Sequence, residues 1–303
     1  MTCDLQLGQR IWGASPISIL EEMDMILTAF AIGVVGAFKF FEFANQSFIS
    51  LQFPRLIEHA EIKPGHRVLD VATGIGEPAI TAARVVGING HVLATDISAQ
   101  MLALAKQRAT SLGFGDIIEF RESDAENLDL LNSSFDAALC RWGLMLLPNL
   151  DATISKIHNA LKSGGRFAAA VWAAAPKVPI ISLATGIIGK QVQMSAPPPE
   201  IPNPFSLADT NKLENSLAKA GFREMHVETV IVTFEFASGE DYCRYCQAAS
   251  ASARIALSKE TEERKEDIWR QVAEEATRNY GTADGLIKMD NESICMVGTR
   301  TTR

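Results

Sequence analysis

Asp70, Gly74, Gly76 and Glu77 fall close together in the chain, and these residue types can seat a charged ligand on a tight backbone turn. They lie in the run Val68-Leu69-Asp70-Val71-Ala72-Thr73-Gly74-Ile75-Gly76-Glu77-Pro78-Ala79. An apolar stretch ends in an acid, turns through two glycines and opens a helix. Glycine suits a backbone that must bend sharply and let a ligand approach. Pro78 suits the first turn of a helix, where its missing N–H costs nothing. Asp70 sits at the carboxyl end of the expected strand, the edge at which open α/β sheets bind ligands.

Two ligands fit such a turn. Gly74 to Ala79 also satisfies the dinucleotide pattern Gly-x-Gly-x-x-(Gly/Ala). A pyrophosphate placed there would be repelled by Asp70 and Glu77. S-adenosylmethionine carries a sulfonium and an ammonium instead, and both favour nearby carboxylates. Charge therefore points to the methyl donor, with a nicotinamide oxidoreductase as the rival and a non-catalytic cofactor-binding protein as a third reading.

The elements that must position these residues follow in order. His91 to Asp96 reads as the next strand, and an acid at its end can accept both hydroxyls of a ribose. Ser98 caps a helix carrying Met101, Leu102, Ala105 and Ala109 at helical spacing. Ile117 to Phe120 is a third strand, followed by Asp124, placed to meet the exocyclic amine of adenine. Phe135 to Cys140 is a fourth, with Arg141-Trp142-Gly143 just past its end and Arg141 facing the ligand edge. Leu161 to Arg166 is expected to end the next helix on glycines, and Phe167 to Trp172 to form a fifth strand.

These motifs, from Val68 to Arg166, resemble the class I S-adenosylmethionine-dependent methyltransferases. They are most similar to the group that includes the ubiquinone/menaquinone-biosynthesis enzymes and many bacterial small-molecule methyltransferases. Thr73, where the family often has Cys or Gly, and Ser163, where it often has Pro, are departures. The resemblance implies an α/β, Rossmann-like, seven-stranded, mostly parallel sheet with helices on both faces. It implies that Asp70, Gly74 and Gly76 contact the methionine part of the cofactor and that Asp96 holds the ribose, with Thr73 and Arg141 also assigned to the cofactor site. Ile97 and Met101 would pack on the adenine, and Asp124 and Ala125 would read its edge.

Four regions are expected. Residues 1–55 are expected to form an N-terminal helical lid, in which Met25 to Phe38 is uncharged but too short to span a bilayer, with a dimer contact or shallow membrane association as the alternative roles. Residues 56–236 form the cofactor-binding core, with 173–205, rich in proline, as a substrate-cover loop. In it, Ser206 to Asp209 reads as a capping box, and Glu228 to Phe236 alternates like a strand. Residues 237–287 form a helical cap inserted before the last strand, and 288–303 return to the core.

The net charge of −8 argues against a nucleic-acid partner. Cys243-x-x-Cys246 has no second pair, so structural zinc is not expected and no metal is assigned. Free cysteines without a framework point to a reducing cytoplasm. The expected chemistry is direct in-line displacement on a small methyl acceptor, by a monomer or homodimer. His59, His66, His91, His158 and His226 fall in helices or at the amino ends of strands, so none is placed as a general base. That favours N-methylation slightly over O- or C-methylation of a phenol or quinone-type acceptor, with Asp151, Glu240 and Asp241 as candidate carboxylate bases. Trp142, Trp172 and Phe205 are expected near an aromatic or otherwise apolar acceptor.

Overall fold

A computed structural model describes residues 53–192 and 201–301. The chain divides into two compact units. Most of the expected lid and the proline-rich stretch 193–200 lie outside the described residues.

The larger unit contains α1 (Phe53–His59), β1 (Arg67–Val71), α2 (Ala79–Val86), β2 (His91–Asp96), α3 (Ala99–Ser111) and β3 (Ile118–Glu122). It continues through β4 (Phe135–Arg141), α4 (Leu150–Ala160) and β5 (Leu161–Trp172). The smaller unit contains α5 (Pro179–Gln191). The larger resumes with α6 (Thr210–Ala220) and most of β6 (Phe222–Phe236). The smaller then holds α7 (Gly239–Ala249), α8 (Ala251–Leu257) and α9 (Glu262–Tyr280), before β7 (Ile287–Arg300) returns.

The seven strands run in the order β3-β2-β1-β4-β5-β7-β6. β1 pairs in parallel with β2 and β4, as do β2 with β3 and β4 with β5; β7 lies antiparallel to β5. The chain winds outward from β1 to β3 and then returns to β4. This reversal opens a crevice at the carboxyl ends of β1 and β4, where ligands bind in such sheets. β1 and β2 are almost wholly buried, which is why they read as unbroken apolar runs. Leu56, Ile80, Ala83 and Val86 of α1 and α2 pack with Val68, Val92 and Leu139 of the sheet.

Several local expectations are corrected. Residues 161–166 are not a helix end: α4 stops at Ala160, and Leu161 is already extended and paired with Phe135. The register then jumps, so that Ala137 faces Arg166, and Gly164 (φ +78°) absorbs the irregularity. Within the expected loop 173–205, residues 179–191 are helical. Pro179 starts that helix rather than breaking one, and Ile180, Ala184 and Ile188 are buried at helical spacing. Asp209, not Ser206, caps α6. β6 begins at Phe222, well before Glu228, and so includes His226.

In the smaller unit, Ile188 of α5 packs with Ala253, Leu257 and Ile268. Tyr242 is fully buried, and its hydroxyl meets the carbonyls of Pro179 and Ile180 and the N–H of Ala184. Cys243 and Cys246 are both buried on α7. Among the described residues, no cluster of three or more side chains could hold a metal ion, and no helix is long and apolar enough to cross a membrane.

Candidate functional site

Asp70 is the fourth residue of β1, fully buried, and one of its oxygens, Oδ2, accepts from the N–H of Ala79 at 3.0 Å. Its other oxygen, Oδ1, is buried without a hydrogen-bond partner, as is the hydroxyl of Thr73. The Thr73 hydroxyl lies close enough to favour an ionised Asp70 without being aligned to satisfy it. Two buried polar atoms left without a partner at the carboxyl end of β1 fit a cationic hydrogen-bond donor. Burial pushes the Asp70 carboxyl up to about 7, against the pull of Thr73, Arg141 and the Ala79 amide.

The turn beyond Asp70 closes on itself, with Gly76 N–H donating to the Thr73 carbonyl at 3.0 Å. Gly74 has φ +57° and Gly76 +97°, a backbone that favours glycine. Gly74 N–H donates to Asp96 Oδ2 at 2.8 Å, and Ser98 N–H to Asp96 Oδ1 at 2.9 Å. Asp96 thus ties the ends of β1 and β2 together, and its remaining lone pairs can still accept from a hydroxyl. Burial raises its pKa. Ser98 caps α3 through the N–H of Met101. Met101 is buried beside Gly74, whereas Ile97 is 41% exposed, a large apolar side chain left uncovered at this edge.

Asp124 caps the short turn Ala125–Asn127, taking the N–H of Glu126 and the amide of Asn127. Ala125 is buried behind it. Arg141 ends β4, lies over the Trp142 ring at 4.3 Å, and points weakly at the Glu77 carbonyl from 3.4 Å. Burial lowers its pKa to about 10, against the attraction of Glu77 and Asp70.

Glu77 differs from the sequence expectation of two acids open to the ligand. Its carboxylate takes the N–H and hydroxyl of Thr81 and faces the Arg108 guanidinium at 3.8 Å. Three buried carboxylates therefore stand against two guanidinium groups, and Asp70 is left as the acid with an unsatisfied oxygen. Arg108 was not legible as a site residue, although its spacing from Met101 and Ala105 places all three on one face of α3.

The aromatic residues do not form one wall. Trp142 stacks on Trp172 at 4.0 Å, and its indole N–H donates to Ser293, itself bonded to the Val171 carbonyl. Trp172 is only 4% exposed, so it offers little surface. Phe205 is half-buried in a separate turn closed by Asn203 and Ser206. Asp151 is engaged by Ser216 and Lys219. Asp241 is engaged by the Ala237 amide and Arg244, and Glu240 stands exposed in the first turn of α7. Of the histidines, His66 and His91 lie at the amino ends of β1 and β2, away from the crevice.

A doubly wound sheet with an acid near the end of β1, a glycine turn beyond it and a second acid closing β2 fits the class I S-adenosylmethionine-dependent methyltransferases. Residues 62–221 match the methyltransferase domain family, and the chain belongs to that family. It is 39% identical over 105 residues to the ubiquinone/menaquinone biosynthesis C-methyltransferase UbiE of Brucella canis, and 38% over 105 residues to that of Brucella anthropi. The match covers 35% of this chain and spans about two fifths of those relatives, 39% and 40%. Its fold resembles YcgJ of Bacillus subtilis (TM-score 0.54, 17% identity, 83% of this chain and 98% of that one). It also resembles Haemonchus contortus phosphoethanolamine N-methyltransferase 2 in complex with S-adenosyl-L-methionine (TM-score 0.54, 20% identity, 88% of this chain and 57% of that one).

Proposed function

We propose that the protein methylates a small organic acceptor, with its cofactor seated on the turn from Asp70 to Gly76. The observation that carries this reading is the unsatisfied, buried Asp70 oxygen beside an orphaned Thr73 hydroxyl. Asp70 and Thr73 would hold the ammonium of S-adenosylmethionine. Asp96 would accept from the ribose, Ile97 and Met101 would flank the adenine, and Asp124 and Ala125 would line its edge. Arg141, near Asp70 and Glu77, would stand at the carboxylate end of the methionine moiety. Bound there, S-adenosylmethionine supplies an electrophilic methyl group on sulfur. The residues around it supply position and exclude water, which can account for roughly 7–11 kcal/mol of such a barrier.

None of the histidines at the strand ends beside this turn stands at the carboxyl edge, so the acceptor must give up its proton without a histidine base there. An amine that loses its proton on burial meets that demand most simply, which favours N-methylation. The likeness to UbiE favours a second reading, methylation of a quinol-type ring at carbon, with its hydroxyl oxygen as the neighbouring target. The absence of a basic surface excess, at a net charge of −8, supports a small molecule over nucleic acid.

Incubation with cofactor labelled in its methyl carbon and a metabolite extract tests these readings. The chemical shift of the transferred carbon separates N-, O- and C-methyl products. A carbon-bound label would overturn the amine reading, and no transfer to any small molecule would overturn both.

A further inference from the structure

One face of α3 is built against the cofactor turn. A Cβ on Gly74 would sit 3.8 Å from Met101 Sδ, and one on Gly76 would sit 3.1 Å from the Ala105 Cβ. Arg108, one turn further on, sends Nη1 to the Ile75 carbonyl and Nη2 toward Glu77 Oε1 at 3.8 Å. Met101, Ala105 and Arg108 follow at intervals of four and three, so all three reach the same loop. Both charged partners are buried, Arg108 at 9% exposure and Glu77 at 6%. Glu77 passes the constraint on, because its other oxygen holds the amide and hydroxyl of Thr81 in the first turn of α2.

We propose that Arg108 is a positioning residue for the cofactor: it pins the Ile75 carbonyl toward α3 and neutralises Glu77. The turn is then preformed. Asp96 holds Gly74 N–H, the Thr73 carbonyl holds Gly76 N–H, and Arg108 holds the one carbonyl between the glycines. With Glu77 balanced by a guanidinium, Asp70 remains the carboxylate that answers the ligand's positive charge. Arg108 acts through the loop and touches neither the methyl donor nor the acceptor. The inference rests on the reading of this turn as the seat of S-adenosylmethionine.

Binding of S-adenosylhomocysteine by calorimetry, with melting of the ligand-free protein, tests it in four forms of the full chain: wild type, Arg108→Met, Arg108→Lys, and Arg108→Met combined with Glu77→Gln. Arg108→Met should bind roughly tenfold more weakly or worse, the loss expected for one charged hydrogen bond. It should also melt lower, because the buried Glu77 loses one of the two guanidinium groups that favour its charge. Arg108→Lys should recover most of the affinity. The double variant removes the stranded carboxylate while Gln keeps an acceptor for Thr81. It should regain the melting temperature yet keep the weak binding. That split is the signature a merely structural ion pair would not give. If Arg108→Met does not fold, the double variant carries the test. Wild-type affinity in the double variant would overturn the proposal. Failure of the wild type to bind would instead overturn the cofactor reading itself, and the two outcomes are distinguishable without any variant.

Discussion

Asp70 and Asp96 are both buried acids at strand ends, yet substitution should separate them. Asp70 holds one backbone amide and leaves its second oxygen unsatisfied. Asp70→Asn keeps an acceptor for Ala79 and removes a charge that burial disfavours, so the ligand-free protein should melt no lower than wild type at pH 8. The same change should remove most of the affinity for S-adenosylhomocysteine, read by calorimetry. The pH dependence has a fixed sign. With Asp70 raised to about 7 in the folded chain and about 4 unfolded, the folded state holds the extra proton between those values. Its contribution to stability is complete below about pH 4 and is lost as the pH rises through about 7. Cofactor binding goes the other way, since an ammonium needs the ionised acid. Affinity should rise through pH 7, with protons released on binding at lower pH, seen as a buffer-dependent enthalpy. Asp96→Ala strips partners from two backbone amides and, on the proposed reading, from the ribose. Ligand-free stability and affinity should each fall by about 1–3 kcal/mol, in denaturant melts and calorimetry respectively. Both aspartates were legible from their places at strand ends, Asp70 with the help of the glycine turn that follows it. Arg108 was not, because its partners lie 33 and 31 positions away in sequence and only helix packing joins them.

The elements that place the site are the ends of β1, β2 and β4, and they were legible for a physical reason. Strands buried on both faces read as apolar runs, and each carries a charged residue at or next to its carboxyl end that marks the crevice: Asp70, Asp96 and Arg141. The first half of β6 was missed because Arg223 to Val227 are exposed on both faces, so no alternation survives. α5 was missed because a proline signals a helix start as readily as a stop. The fit between β1 and β4 is tight enough to test. Trp142 adopts φ +56°, a costly backbone for an aromatic residue, and Gly143 follows it. A Cβ on Gly143 would meet the Ala72 Cβ at 2.6 Å and Cys140 Sγ at 2.9 Å. Gly143→Ala must therefore push the two strand ends apart. It should destabilise the fold by about 1–3 kcal/mol in a denaturant melt. It should also weaken S-adenosylhomocysteine, since Ala72 leads directly into the turn that carries Thr73 and Gly74.

Ligand linkage is where the whole molecule reports on the site. The residues proposed to hold the cofactor come from the ends of four parallel strands at the centre and one side of a single sheet. A ligand that bridges them can stabilise only the folded chain, because the unfolded chain has no such edge. The gain is set by mass action, about 2.7 kcal/mol at a hundredfold excess over the dissociation constant. S-adenosylhomocysteine, whose ammonium is retained, should raise the melting temperature in proportion to the logarithm of its concentration. NAD at the same concentrations should leave it unchanged, because its pyrophosphate would face the unsatisfied Asp70 oxygen, with Arg108 already set against Glu77. The pH controls the comparison: the shift caused by S-adenosylhomocysteine should grow from pH 6 to pH 8, as Asp70 ionises, while NAD gains nothing. A shift with NAD that exceeds the one with S-adenosylhomocysteine would reverse the charge argument on which the site assignment stands.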